Sequence, residues 1–260
     1  MAGWLQALLD TLPPLFPLIA VLGLFLHGLT ARAPDPPDPQ AAFRNSIADA
    51  AVREARKVYP GLNAITPANQ TLKWKDPSNP TELLVATFIT SETAKYYRNP
   101  DGTPRAGSAP DGDPRVWVTL APELQDFCRR LGLPDPSGRL KQYLGLSPDA
   151  KYDQIVEMWV KSADLFRPCP DPDVTGDVCQ LQSPKTPPAV KNVKDYPSFL
   201  LKLYQSQYQW PGGAPWTGLG YTYDLGSDTH IGASEYILVP NAPYTAKLVQ
   251  PPAVYCAPEK

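Results

Sequence analysis

Proline occupies 33 of the 260 positions, well above its usual level of about 5%. A proline donates no backbone hydrogen bond and fixes its own φ, so helix interiors and central strands exclude it. The chain is therefore expected to fold with short regular elements separated by many loops and turns. Hydrophobic residues make up 43% and charged residues 19%. That is too apolar and too weakly charged for a disordered chain, and the length suits one sizeable core. The net charge is −2 and Lys and Arg form no cluster, which argues against nucleic-acid binding.

The segment from Leu15 to Leu29, LFPLIAVLGLFLHGL, carries no formal charge. Fifteen helical residues span about 22 Å, short of a hydrocarbon core of about 30 Å. Residues 1–33 are therefore expected to be an export signal, with Ala31-Arg32-Ala33 as the cleavage pattern, or else an N-terminal anchor holding residues 12–30 in a membrane. The absence of Lys and Arg before the segment, and Pro34 just behind the cleavage pattern, disagree with cleavage, but the segment's length keeps the cleaved signal as the first reading and the anchor as the second. Residues 34–40 begin with Pro34-Asp35-Pro36-Pro37-Asp38-Pro39 and read as a stiff spacer. Residues 41–260 then form a single extracytoplasmic domain, periplasmic or secreted.

Four cysteines behind an export segment read as two disulfides. Three connectivities are possible. The favoured one pairs Cys169 with Cys179 across the turn-rich Pro170–Asp177 stretch, which leaves Cys128 with Cys256. The spacings lack the C-x2-C pairs of a zinc site.

Local pattern predicts a helix over 41–58, on a stripe of Phe43, Ile47, Ala51, Ala55 and Val58, and further helices over 123–131, 139–144 and 196–208. Strands are predicted at 83–90, 115–120, 152–160, 218–223, 235–239 and 246–249 from their β-branched and aromatic content. This mixture predicts an α+β fold with a mainly antiparallel sheet and short helices, loop-rich and stapled by disulfides.

Candidate chemistry is sparse. His230 is the one histidine outside the apolar segment, and a Ser/His/Asp hydrolase would have to use it, with Asp228 or Asp224 and Ser227 or Ser234 nearby; no G-x-S-x-G elbow exists. Glu157 and Glu235 lie on apolar strands. They could form a paired-carboxylate site, although solvent-facing strand positions explain them better. Asp171, Asp173, Thr175 and Asp177, with Gly176, echo the start of a calcium loop, but Gln182 stands where its last ligand, a Glu, belongs. Trp210, Trp216, Tyr221 and Tyr223 crowd a glycine-proline turn, where exposed aromatics stack on sugars or peptides. No cofactor motif is present and none is expected.

Two stretches, Asp164-Leu165-Phe166-Arg167-Pro168-Cys169-Pro170-Asp171-Pro172 and Gly218-Leu219-Gly220-Tyr221-Thr222-Tyr223-Asp224, resemble segments of bacterial secreted and envelope proteins with no known activity. The resemblance covers about the C-terminal half and implies an exported, cysteine-stapled domain. The expected function is a non-enzymatic envelope domain that binds a protein or glycan partner. The alternatives are a secreted hydrolase and an accessory subunit of a membrane complex.

Overall fold

A computed structural model describes residues 38–112 and 116–258. The apolar segment, its cleavage pattern and the spacer up to Pro37 lie outside the described residues. No helix among the described residues is long and apolar enough to cross a membrane.

Asp38 accepts a hydrogen bond from the Gln40 N–H and caps helix α1, Pro39–Ala51. The end assigned above to the spacer is thus the start of a helix, with Pro39 in the first turn where its missing N–H is harmless. The helix ends at Ala51, one to two turns before the expected Val58. Beyond it Arg53 places its guanidinium over the Tyr204 ring, 4.4 Å from the centroid. Lys57 donates back to the Asp49 carbonyl and carboxylate at 2.7 and 2.9 Å. These contacts override the apolar spacing.

The sheet is built from β1 (Glu82–Ile89), β2 (Ala106–Ser108), β3 (Val116–Leu120), β4 (Gln154–Lys161), β5 (Leu165–Phe166), β8 (Tyr236–Leu238) and β9 (Pro243–Gln250). The seven strands run in the order β2-β9-β4-β1-β3-β8-β5, and every pairing is antiparallel. Strands β6 (Tyr221–Tyr223) and β7 (Ile231–Ser234) form a separate two-stranded ribbon. The fold is α+β as the sequence predicts. Short β2, β5 and β7 are additions that carry no readable periodicity.

Strand β1 is apolar along its length because both of its faces are covered. On one face Leu83 and Val85 join Val156, Met158 and Val160, covered by Tyr196, Leu200 and Leu203 of the helix Tyr196–Gln207. On the other, Leu84, Ala86 and Phe88 meet Leu124 and Cys128 of the helix Ala121–Leu131, and Leu140 and Tyr143 of the helix Ser137–Tyr143. Short helices at Ser91–Ala94 and Pro252–Tyr255 complete the set.

Both disulfides form in the favoured connectivity, Cys128–Cys256 and Cys169–Cys179, and the described residues include no free cysteine. Two disulfides fit an oxidising, extracytoplasmic environment. The first ties the helix carrying Cys128 to the C-terminal turn. There Tyr255 donates to the Ala121 carbonyl and to Glu157 Oε1, both at 3.1 Å.

Candidate functional site

The aspartate-rich turn is closed on itself. Asp173 accepts from the Thr175 N–H, the Thr175 hydroxyl and the Gly176 N–H. Asp171 accepts from the Asp173 N–H, and the Asp177 carbonyl accepts from Leu62. The described residues contain no acid, histidine or cysteine cluster suited to a metal. A cation is nevertheless present, and it belongs to the chain. Arg167 is 1% exposed and donates to the carbonyls of Asp173, Gly176 and Asn63 at 3.3, 2.6 and 2.8 Å. A guanidinium thus satisfies carbonyls of a loop whose sequence suggests calcium. The two stretches that resemble secreted proteins meet here: Gly220, at φ +82°, lies against Arg167 and Cys179. A Cβ at Gly220 would stand 2.7 Å from Leu62 Cδ1.

His230 sits at φ +55°, stacks on Tyr223 with centroids 4.6 Å apart, and places Nδ1 3.0 Å from the Asp224 backbone carbonyl. The Asp224 carboxylate is held instead by both Arg139 nitrogens at 2.7 Å. Ser227 bonds Thr229, Ser234 accepts from the Asn63 N–H, and Asp228 is exposed. No serine, histidine and carboxylate are linked among the described residues.

The two strand glutamates are not solvent-facing. Glu157 is 2% exposed and accepts from Lys247 at 2.7 Å as well as from Tyr255. Glu235 lies in the break between β7 and β8 with its Oε2 enclosed and without a partner. Strands β1 and β3 stand between the two residues, so the structure does not bring them together. Burial pushes the Glu235 carboxyl up to about 8, which leaves it mostly protonated at neutral pH. Burial also pushes Glu123 up to about 7, although it accepts from the Ser234 N–H and the Thr119 hydroxyl. Glu123 was not readable as a buried acid because helix periodicity does not show what covers a first-turn side chain.

The aromatic turn residues divide. Trp210 is 47% exposed, whereas Trp216, Tyr221 and Tyr223 are buried. The Tyr221 hydroxyl donates to the Lys57 carbonyl and that of Tyr223 to Asp49. The four do not form one open platform. Trp216 and Tyr223, with Glu235, line a cavity of about 930 Å³.

That cavity exists because the sheet forks. Strands β1 and β3 pair only at Val85↔Leu120 and Ala86↔Thr119. Beyond that point Thr87–Ile89 pair only with β4, and Val116–Val118 only with β8. The phase of the ladder follows from the strand's first half, where Lys75 donates to the Glu82 carbonyl and Leu84 donates to that of Lys73. Even-numbered residues of β1 therefore turn their backbone groups toward β3. The register next sets Phe88 against Trp117, and no ladder pair forms there. Both residues face the gap with the N–H and C=O that a closed sheet would join.

The cavity passes through this gap, so both faces of the sheet line it. Tyr97 and Tyr244, with centroids 5.0 Å apart, bound it on one face. Tyr152, which packs on Phe88 at 5.8 Å, and Leu146 bound it on the other. Among the described residues its acidic lining is Glu235 alone and its basic lining Arg105 alone. The Trp216 Nε1–H has no acceptor. A large cavity with a mainly aromatic and aliphatic lining has the character of a ligand site. Comparison with family models, curated proteins and solved structures returns no match.

Proposed function

We propose that this chain is an extracytoplasmic binding domain, exported or anchored by its N-terminal apolar segment, and that it holds a largely apolar ligand in the fork between β1 and β3. The observation that carries the reading is the aromatic-lined cavity itself, whose lining includes Trp216, Tyr97, Tyr244 and Tyr152 together with the mostly protonated Glu235. The disulfides support a place outside the reducing cytoplasm, and the envelope is the compartment we favour. The ligand comes from a protein or glycan partner in that envelope. The apolar lining favours protein, since sugars need more hydrogen-bonding groups than the fork offers.

Nile red, an apolar dye that brightens on leaving water, tests the cavity without knowledge of the natural ligand. The expected result is saturable binding at one site, weakened at least tenfold by Leu146→Trp. Leu146 is partly exposed and lines the cavity, so a larger ring there fills the space while the surrounding core stays intact. Absence of saturable binding, or binding that ignores Leu146→Trp, would overturn the reading.

A further inference from the structure

We infer that the occupant of the fork is an extended polypeptide strand, supplied by a partner protein, that completes the sheet between β1 and β3. This rests on the binding reading above and names the chemistry of the partner.

Three observations point to a strand rather than a compact ligand. First, the cavity lies within the sheet and opens to both of its faces. A chain running through it sends alternate side chains to opposite faces. One set meets Tyr97 and Tyr244, and the other meets Tyr152 and Leu146. Second, each flank offers backbone rather than side-chain polarity. Phe88 on β1 and Trp117 on β3 are the next pair in register, and no ladder joins them. Unpaired strand edges are templates for another chain. Third, the described lining carries one acid and one base, which suits an uncharged segment of alternating apolar residues.

The geometry fixes a further property. Strands β1 and β3 are antiparallel to each other. A strand inserted between them is antiparallel to one and parallel to the other, and it bonds both at once. Blocking either of its edges therefore removes bonds. This distinguishes insertion from addition at an outer edge, where only one edge of the peptide is bonded.

The test is selection of a random dodecapeptide library on the disulfide-intact protein. The recovered peptides are then resynthesised with N-methyl groups on alternate residues, in each of the two phases. The expected peptides alternate apolar residues, displace Nile red and lose at least tenfold in affinity when methylated in either phase. Three results would overturn strand insertion: no enriched peptide while Nile red binds, peptides indifferent to methylation, or loss in one phase only. The first of these leaves the cavity as a site for a small amphiphile. Failure of both Nile red and peptide to bind removes the binding reading and the strand together.

Discussion

The Cys128→Ala/Cys256→Ala double variant is expected to lose about 5 kcal/mol of unfolding free energy, because the bridge closes a loop spanning 128 positions and the restriction it places on the unfolded chain grows with loop length. The Cys169→Ala/Cys179→Ala variant, with a separation of 10, is expected to lose about 3 kcal/mol by the same relation. Urea unfolding of the two variants beside the parent measures the difference. The long bridge also has a local role, since it fixes the C-terminal turn from which Tyr255 reaches the Ala121 carbonyl and Glu157. Its loss loosens the buried Glu157 carboxylate and its pairing with the exposed Lys247, so the effect is not confined to the unfolded state. Equal losses for the two bridges would show that loop length is not what the long bridge contributes.

The unfolding free energy is expected to fall as pH rises from about 5 to about 8, by about 1.4 kcal/mol per unit for a single group that is protonated only in the folded state. The sign follows from burial. Glu235 has a folded value of about 8 against an ordinary 4.5. Between those values the folded chain holds a proton that the unfolded chain has released, and stability is lost as pH climbs through that window. The whole contribution is on the order of 5 kcal/mol. Glu123, raised to about 7, acts in the same sense over a narrower range. Asp49 and Asp173 act oppositely. Burial pushes each up, but hydrogen bonds from Lys57 and Tyr223 to Asp49, and from Thr175 and Gly176 to Asp173, outweigh it and hold both below the usual range. Their contribution is lost only in acid, as pH falls through and below about 4. Glu235→Gln keeps the shape and removes the proton equilibrium. Urea titrations at pH 5, 6, 7 and 8 are expected to show the decline reduced in this variant to the part due to Glu123. An unchanged decline would mean that the Glu235 carboxyl is hydrated.

Much of the fold was legible because its elements report themselves locally. The continuous apolar run of β1 and the turn chemistry between Cys169 and Cys179 each have a local cause. The site was less legible because its features arise between elements. Nothing in VWVTL shows that Val116–Val118 leave β1 to pair with β8. A Glu between Ser234 and Tyr236 on an apolar strand reads as solvent-facing by alternation, yet the break between β7 and β8 turns it inward. The apolar neighbours on its C-terminal side, Tyr236-Ile237-Leu238, were the available signal of burial. Arg167 was hidden in a similar way. Its loop carries calcium-like spacing, and only the folded chain shows a guanidinium against the loop carbonyls.

The central claim is that the sheet is open between β1 and β3, and residue-resolved amide hydrogen exchange tests it most directly. Leu84, whose N–H is bonded to the Lys73 carbonyl, provides the protected reference on the same strand and the same edge. An open fork predicts that the Phe88 and Trp117 amides exchange at least a hundredfold faster than Leu84 in the free protein, since no ladder pair joins them across the gap. Protection of Phe88 and Trp117 equal to that of Leu84 would mean that the strands are zipped along their whole length, leaving no cavity for a ligand of any kind.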